Sequence, residues 1–477
     1  MSLFSIYSLS FPRTVAYMLQ STEYDTKAYI RWLVRTRNFG AVANRRQLDK
    51  TSVAGMFVAF ISIGVLLQYI GGFLAGWWGI AHGIISLTVF AMLVVAVAPI
   101  TWAILVIIPM MIAKRFVIIP RIKRMERETG NILEKHPALK IAVAGSYGKT
   151  TMKELLATVL SEGKQVAATP GNKNVATAHY DFARSLSGNE EVLIIELGEG
   201  KPGDVKRFSQ TIKPDIAIIT GLAPAHLDHY KDIADVANDI FSLASVVQAK
   251  NLYVNADSSE MKPYIKDSYV QFSRSGVADL KVNDVDVTIH GTSFELIGSD
   301  DTIHIKTGLL GDHLVGVLST AAIVAKNIGL SPKQVQDGIS KATPYQHRMQ
   351  PYHLGGAWII DDAYNGNLEG VRAGTSLLCK LHAKRKIYVT PGLVDQGENT
   401  QEIHRQVGQL IATAKPDIVV LMKNSVANSI QEGLKESSFG GKIMIKDDPL
   451  AFYQNLDQFV AAGDIVLLQN DWTDNYQ

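Results

Sequence analysis

The sequence predicts an α/β protein with two domains built on sheets, preceded by a helical hairpin that crosses a membrane. Three features support this prediction. Residues 53–113 contain no Asp, Glu, Lys or Arg. After Pro137, short apolar runs alternate with helical patterns, which is typical of βαβ units and a parallel sheet. A glycine-containing loop joins the first of these runs to its helix and marks the first strand–loop–helix unit.

The uncharged block is long enough for two membrane spans, since one span needs roughly 20 apolar residues. The first span is expected at residues 53–73 and the second at 84–112, with Pro99 as a kink. A connector rich in Gly and Trp, residues 71–79, is expected to form the turn between them. The alternative is a buried hairpin in the core of a soluble protein.

Basic residues flank the uncharged block on both sides. The positive-inside rule therefore places the protein in the cytoplasmic membrane, with both termini and the later domains in the cytoplasm. The N-terminal segment mixes aromatic with basic side chains, which suits a helix on an anionic membrane surface or in solvent. The predicted organisation is an amphipathic segment, the hairpin, a central domain and a C-terminal domain, at residues 1–50, 51–115, 116–342 and 343–477.

Charge and cysteine content exclude several classes of protein. The chain has 47 Lys and Arg against 45 Asp and Glu, a net charge of +2, so no nucleic-acid partner is expected. The one cysteine, Cys379, allows neither an intrachain disulfide nor a cysteine metal cluster. It is expected to be a small buried hydrophobic residue.

The loop after the first predicted strand has the composition of a phosphate-binding loop. It follows the apolar run 139–144 and precedes a helical pattern at 152–160. Its residues are Gly145, Ser146, Tyr147, Gly148, Lys149, Thr150 and Thr151. Glycines let backbone N–H groups close on phosphates, and a helix N-terminus favours negative charge. Lys149 would reach the outer phosphates and the Thr150 hydroxyl would ligate Mg²⁺.

Two further predicted strands end in polar side chains. The run 192–196 ends in Glu196, and the run 215–220 is soon followed by His226. Ligands of open α/β sheets lie outside the carboxyl ends of strands. Glu196 and His226 are therefore predicted to hold Mg²⁺ with Thr150, directly or through water. Taken singly, they have ordinary alternatives as a helix-capping acid and a loop histidine.

These motifs, in this order, resemble the Mur ligases. Beside the phosphate loop they are Thr169-Pro-Gly-Asn172-Lys-Asn174, Glu196-Leu-Gly, Ala225-His226-Leu-Asp228 and Val254-Asn-Ala-Asp257. The C-terminal region adds Gly311-Asp-His313, His347-Arg348-Met-Gln350 and Asp361-Asp362-Ala-Tyr364-Asn365-Gly-Asn367. The resemblance covers about residues 138–465 and is greatest to the branch that adds D-alanyl-D-alanine to the cell-wall peptide.

The resemblance implies a Mur-type ATPase domain, a Rossmann-like C-terminal domain and a set of site residues. The implied catalytic residues are Lys149, Glu196, His226 and Arg348. Contacts with ATP are implied for the loop from Gly145 to Thr151 and for His313, Arg348, Asp361 and Asn365. Contacts with substrate are implied for Asn172, Asn174, Asp362, Tyr364 and Asn367. Without the resemblance, residues 361–367 would equally be a turn in which Asn367 caps a helix.

The implied activity is an ADP-forming ligation that needs ATP and Mg²⁺. The γ-phosphoryl group activates a carboxylate as an acyl phosphate, and an amine such as D-Ala-D-Ala then displaces phosphate. The expected partners are a cell-wall peptide precursor, the amine donor and membrane lipid, and the protein is expected to be monomeric. Two alternatives stay open: a catalytically weak membrane scaffold of wall synthesis, and a Mur-like ligase with another substrate, such as a glutamate-adding, folate-type or amidating enzyme.

Two departures from the family bear on the acceptor and on the cation site. The membrane hairpin stands where members usually have a domain that binds the UDP end of the substrate. The acceptor is therefore expected at the membrane, and whether it is lipid-linked or UDP-linked stays open. Many members also place a carbamylated lysine near Mg²⁺, on the helix after the His226 segment. Here Ala237 or Asn238 stands at that position, and Asp239 is the residue that could replace the charge.

Overall fold

The computed structural model describes residues 3–36, 39–40, 42, 48–49, 51–223, 230–299, 302–364, 366–394, 396 and 399–470. The chain divides into two compact units, residues 1–125 and 126–477. The second unit contains two α/β domains, each with its own sheet. The prediction of an α/β class with two sheet domains is therefore confirmed.

The first unit is helical. Its helices are α1 (Phe11–Ser21), α2 (Thr26–Arg35), α3 (Ser52–Ala81), α4 (Ile85–Leu105) and α5 (Ile107–Ala113). Aromatic side chains of α1 and α2 are buried against α3 and α4, and the Tyr29 hydroxyl donates to the Ala103 carbonyl at 2.6 Å. A further helix, α6 (Ile119–Lys135), includes the division between the units.

The turn of the apolar hairpin differs from the prediction. Residues 71–79 are helical, and the chain turns at residues 82–84 instead. A Cβ atom on Gly72 would lie 2.4 Å from a methyl group of Val95, and one on Gly79 would lie 2.7 Å from the Thr88 hydroxyl. The glycines therefore allow α3 and α4 to approach closely, a common use of small residues in apolar helix pairs.

The central domain is built on a ten-stranded sheet with the order β10-β9-β8-β7-β6-β5-β4-β1-β3-β2. Its strands are β1 (Leu139–Ala144), β2 (Val166–Ala168), β3 (Val192–Glu196), β4 (Ile216–Ile219), β5 (Leu252–Asn255), β6 (Val270–Ser273), β7 (Gly276–Val277), β8 (Leu280–Thr288), β9 (Gly291–Ile297) and β10 (Thr302–Thr307). Its helices are α7 (Lys149–Leu160), α8 (Ala176–Ser185), α9 (Asp204–Ile212), α10 (Ile233–Ile240), α11 (Val315–Asn327) and α12 (Pro332–Lys341). Strands β1 to β6 pair in parallel, and β6 to β10 continue as antiparallel neighbours.

The C-terminal domain is built on a six-stranded sheet with the order β11-β12-β16-β13-β14-β15, and only β11 is antiparallel. Its strands are β11 (Gln350–Leu354), β12 (Ala357–Asp362), β13 (Arg385–Thr390), β14 (Ile418–Met422), β15 (Lys442–Lys446) and β16 (Asp464–Gln469). Its helices are α13 (Leu368–Lys380), α14 (Thr400–Thr413), α15 (Ala427–Glu436), α16 (Pro449–Gln454) and α17 (Leu456–Phe459). Cys379 lies in the last turn of α13 and is exposed, so its predicted burial was wrong: residue type alone does not say which helix face a side chain occupies.

The strand order of the central sheet determines where a site can form. β1 lies between β3 and β4, with Val143 opposite Glu196 and Ala144 opposite Ile219. The chain moves from β1 to one side of the sheet and later crosses to the other. Such a reversal opens a crevice at the carboxyl end of the strand where it occurs. The loop after β1 emerges at that point.

Candidate active site

The loop between β1 and α7 has the backbone of a phosphate cradle. Gly145 and Gly148 have φ angles of +138° and +75°, which glycine adopts without steric cost. A Cβ atom on Gly145 would lie 2.4 Å from the Thr220 hydroxyl oxygen. The Ser146 amide donates to the Gly221 carbonyl at 2.8 Å. The loop is thereby held against the end of β4, and α7 begins at Lys149.

Glu196, at the end of β3, faces the first turn of α7. The Thr150 hydroxyl donates to its Oε1 atom at 3.3 Å, and the Asn174 side-chain amide donates to the same oxygen at 3.1 Å. The other carboxylate oxygen, Oε2, is buried without a hydrogen-bond partner in the described part of the chain. Its nearest cation is the fully buried Lys153 ammonium, at 3.7 Å.

Lys153 joins Glu196 to the loop that carries Asn172 and Asn174. Its ammonium donates to the Thr169 carbonyl at 2.6 Å and to the Gly171 carbonyl. It also forms an ion pair with Glu154 at 3.0 Å. An ammonium without solvent exposure needs such partners to stay charged. Lys153 therefore fixes the relative positions of the phosphate-loop helix, the acidic strand end and the asparagine loop.

Lys149, the phosphate-loop lysine, is paired with a carboxylate that the sequence analysis did not single out. Its ammonium donates to both oxygens of Glu199, at 2.9 and 2.8 Å. The two side chains are 12% and 3% exposed, respectively. The pair therefore lies inside the cleft, in the place where the outer phosphates of a nucleotide would bind.

The C-terminal domain contributes Arg348 to the same cleft. Its neighbours His347 and Met349 have φ angles of +58° and +48°, which are uncommon for residues with a side chain and often occur at functional sites. The Arg348 guanidinium lies 4.6 Å from the ring centroid of Tyr364. The Tyr364 hydroxyl in turn accepts a hydrogen bond from the Asn172 amide. Asn172 and Tyr364 thus connect the two domains across the cleft.

The remaining predicted residues of the C-terminal motif have different surroundings. Asp361 and Asp362 are the last two residues of β12. The Asp361 carboxylate contacts the His347 ring nitrogen at 2.7 Å and does not line the cleft, whereas Asp362 does. Asn367 lines the cleft and also caps α13, because its side chain accepts from the Gly370 amide at 2.8 Å. The helix-capping interpretation of Asn367 is confirmed, and its predicted contact with substrate stays a prediction.

His313 lines the cleft from the short turn at residues 312–314, just before α11. Burial lowers the pKa of its imidazole to about 4, so the ring is neutral at physiological pH. Its Nδ1 atom is buried and has no hydrogen-bond partner among the described residues. A neutral ring with one unused polar atom suits a heteroaromatic or sugar group of a ligand.

The cleft that these residues share has a volume of about 520 Å³. Its walls include, from the predicted set, Ser146, Tyr147, Gly148, Lys149, Thr150, Thr151, Asn172, Asn174, Glu196, His313, Arg348, Asp362, Tyr364 and Asn367. Three buried polar atoms in these walls lack a hydrogen-bond partner in the described chain: Ser146 Oγ, Glu196 Oε2 and His313 Nδ1. Buried polar atoms are rarely left unpaired. Their positions therefore fit a ligand with a phosphate at the loop, a cation at Glu196 and a base or sugar at His313.

Not every predicted position can be assigned to the cleft. His226 and Asn365 are outside the described residues, so the predicted Mg²⁺ ligand His226 has no structural account. Gly145 shapes the loop from behind and does not line the cleft. Asp239 accepts hydrogen bonds from the Val205 and Lys206 amides at 3.3 and 3.2 Å and from the Tyr230 hydroxyl at 2.8 Å. It therefore caps α9, and it is absent from the cleft walls.

The cleft carboxyl group of Asp362 makes stability depend on pH. Burial raises its pKa to about 7, although the Gln469 amide donates to it at 2.8 Å. The folded state therefore holds this proton more tightly than the unfolded state, whose pKa is 3.8. The resulting stability is complete below the unfolded pKa and is lost as pH rises through 7. We expect unfolding to become easier by roughly 2–4 kcal/mol between pH 4 and pH 8.

Melting temperatures of the full-length protein at several pH values would measure this loss. Asp362→Asn should remove most of the dependence of the melting temperature on pH. Asp361→Asn, next to it in β12, should leave most of that dependence in place. An unchanged slope in Asp362→Asn would contradict the assignment.

A phosphate loop, an acidic strand end beside it and an arginine from a second α/β domain define a class: nucleotide-dependent phosphoryl-transfer enzymes with a two-domain cleft. Residues 143–325 match the Mur ligase middle domain, and residues 347–469 match the Mur ligase, glutamate ligase domain. The chain belongs to the Mur ligase family, and its relatives are named as ligases.

Comparison with individual proteins agrees with the family assignment. The UDP-N-acetylmuramoyl-tripeptide–D-alanyl-D-alanine ligase of Haemophilus influenzae is 28% identical over 341 residues, which are 68% of this chain and 72% of the relative. The ligase of that name from Escherichia coli is 26% identical over 313 residues, or 64% and 69% of the two chains. The solved MurF ligase of Thermotoga maritima, in complex with ADP, is 20% identical with a TM-score of 0.63, and covers 73% of this chain and 80% of its own. This last likeness shows the shared fold.

Proposed function

We propose that the protein is an ATP-dependent, ADP-forming amide ligase that adds D-alanyl-D-alanine, or a similar amine, to the peptide of a cell-wall precursor at the cytoplasmic membrane. The observation that carries this proposal is the cleft, where unpaired polar atoms for a phosphate, a cation and a base or sugar meet an arginine from the second domain. The relatives named as D-alanyl-D-alanine ligases support the choice of amine.

The chemistry has two displacement steps. A carboxylate oxygen of the acceptor peptide attacks the γ-phosphorus of ATP, the bond to the β-phosphate oxygen breaks, and ADP leaves. The amine nitrogen of the donor then attacks the carbonyl carbon of the acyl phosphate. Inorganic phosphate leaves, and the nitrogen loses a proton to solvent as the amide forms. Phosphoryl transfer of this kind depends on positioning and charge stabilisation more than on covalent help from the protein.

The residues of the cleft can supply both the positioning and the charge stabilisation. Backbone amides of the loop after β1 and the N-terminus of α7 would hold the phosphates. Lys149 would bind the outer phosphates, and Arg348 would stabilise charge on the transferred group. Glu196 and Thr150 would hold Mg²⁺, which would neutralise phosphate charge when bound. Asn172 and Tyr364 would keep the domains closed over the substrate.

The proposal of a membrane location rests on the first unit. Two helices in the described chain, Ser52–Ala81 and the continuous helical stretch Ile85–Lys135, are long and apolar enough to cross a membrane. Large apolar side chains are exposed on them from residue 56 to 80 and from 85 to 117. At 1.5 Å per residue these stretches are about 38 and 50 Å long, long enough to cross the roughly 30 Å of a hydrocarbon core. A core helix of a soluble protein would instead be buried on most sides.

The acceptor is proposed to be linked to a lipid. The hairpin occupies the part of the chain where Mur ligases usually carry a domain for the UDP end of the substrate. An anchor in the same membrane would bring the cleft to a lipid-linked peptide without that domain. The basic flanks of the hairpin favour the cytoplasmic side, where ATP is available.

The decisive experiment is a reconstitution of the full chain in vesicles with ATP, Mg²⁺ and D-Ala-D-Ala. We expect the product, identified by mass spectrometry, to form with equal amounts of ADP and phosphate, and faster on a lipid-linked peptide than on the soluble UDP-linked one. Omitting D-Ala-D-Ala is the control for uncoupled ATP hydrolysis. Equal rates on both acceptors would remove the lipid-linked part of the proposal, and no product with either would remove the ligase activity on this donor.

A further inference from the structure

The ion pair between Lys149 and Glu199 raises a question about the nucleotide-bound state. Both oxygens of Glu199 are within 2.9 Å of the Lys149 ammonium, and its side chain is 3% exposed. When a nucleotide binds, the Lys149 ammonium has to bind the phosphates instead of Glu199. A buried carboxylate that loses its counter-charge is strongly disfavoured, and it would also repel the incoming phosphates. A second cation is therefore needed, one that binds the Glu199 carboxylate and the phosphates together.

The neighbouring side chains provide a place for that cation. Lys149 and Thr150 are consecutive residues at the start of α7, and each faces a carboxylate: Glu199 and Glu196, respectively. The Oε2 atom of Glu196 is buried with no hydrogen-bond partner in the described chain. Mg²⁺ in nucleotide sites is commonly held by one or two carboxylates together with phosphate oxygens and water. Two carboxylates and a hydroxyl beside a phosphate loop match this requirement.

We propose that Glu199 is the second protein carboxylate of the cation site. It supplies the negative charge that many Mur ligases obtain from a carbamylated lysine, a residue that α10 of this sequence lacks. Ala237 and Asn238 cannot carry that charge, and Asp239 is occupied as the cap of α9. Glu199 alternates between two partners: the Lys149 ammonium in the nucleotide-free state and the divalent cation when the phosphates have drawn Lys149 away. This inference rests on the proposed function, because it assumes that the cleft binds ATP with Mg²⁺.

The test measures how strongly a divalent cation and a nucleotide assist each other in binding. Affinity of the full-length protein for a fluorescent, non-hydrolysable ATP analogue is determined with Mn²⁺ and with a chelator, and the ratio of the two dissociation constants is the coupling factor. For Glu199→Gln we expect metal-free affinity to rise, because Lys149 is released to the phosphates. The coupling factor should fall at least about tenfold, equivalent to about 1.4 kcal/mol.

A carboxylate that serves only as the counter-charge of Lys149 gives a different result. Glu199→Gln would then raise the affinity equally with and without Mn²⁺, and an unchanged coupling factor would overturn the proposal. Glu199→Asp keeps the charge but shortens the side chain, so it should also lower the coupling factor if the oxygen is a ligand. A wild-type coupling factor in Glu199→Asp would likewise overturn the proposal. This variant replaces Glu199→Gln in the test if Glu199→Gln does not fold.

Two further variants complete the comparison. Glu196→Gln should lower the coupling factor, since Glu196 belongs to the cation site in either case. Glu162→Gln removes a carboxylate that pairs with Lys341 at 2.7 Å outside the cleft, and it should leave the coupling factor unchanged. A wild-type protein that binds no nucleotide even with Mn²⁺ would overturn the proposed function itself. A wild-type coupling factor retained by the Glu199 variants would overturn this inference alone.

Discussion

Replacing Lys149 with alanine is expected to reduce ATP-dependent ligation at least about a thousandfold. The ammonium is the cation at the start of α7 that can reach the outer phosphates, and its loss leaves the transferred group poorly positioned. The measurement is phosphate release in the presence of both peptide substrates. Retained turnover would show that the cleft is not the site of phosphoryl transfer. It would then indicate that phosphoryl transfer takes place at another site of the protein. Absence of turnover in the wild type would instead favour the alternative of a catalytically weak scaffold.

The same substitution has a separate effect on stability. It leaves Glu199, 3% exposed, without its counter-charge, and breaking a buried pair in this way costs about 3–5 kcal/mol. The double variant Lys149→Ala, Glu199→Gln should recover most of the melting temperature but none of the activity. Lys341→Ala is the matched control, because Lys341 pairs with Glu162 at 2.7 Å and is 60% exposed. Surface pairs contribute about 1 kcal/mol or less.

Placing a charge on the apolar hairpin is expected to prevent stable membrane insertion. Leu67 and Leu93 are each 60% exposed on α3 and α4, and both lie within the proposed membrane-spanning stretches. Arginine at the centre of a spanning helix costs about 2.5–3.5 kcal/mol on insertion scales, so Leu67→Arg, Leu93→Arg together should cost roughly twice as much. The measurement is the fraction of protein that stays with the membranes after alkaline extraction.

Leu450→Arg provides a control of similar exposure. Leu450 is 67% exposed in the C-terminal domain, and its replacement should leave the membrane fraction unchanged. If the hairpin were part of a soluble protein, an added arginine would only improve solubility. The membrane location would therefore be contradicted if alkaline extraction released the wild-type protein and the hairpin variants were more soluble than it.

Much of the fold could be predicted because its signals are local. The runs at residues 139–144 and 192–196 became β1 and β3, since buried parallel strands are continuous apolar segments. The turn of the hairpin could not be predicted in the same way. Glycine and tryptophan favour a turn in one context and close helix packing in another, and only the positions of Val95 and Thr88 on the partner helix decide between them.

The site was predictable where chemistry requires a fixed spacing. Lys149, Thr150 and Glu196 converge because α7 begins just after β1, and Glu196 ends β3, the strand paired with β1. Glu199 and Lys153 were missed, since an acidic residue after a strand and a lysine on a helix are ordinary surface features in a sequence. Their burial depends on tertiary contacts: Lys153 with the carbonyls of Thr169 and Gly171, and Glu199 with the phosphate-loop lysine.

The length of exposed apolar surface on the hairpin has a consequence for how the enzyme would meet its acceptor. A protein and a lipid held in one bilayer search for each other in two dimensions, and tethering of this kind raises the effective concentration of one for the other. The cleft could then bind its acceptor weakly and still be saturated. Its Michaelis constant would be set by the surface density of the lipid-linked peptide, and diluting the vesicles at constant lipid composition would leave the rate per enzyme unchanged.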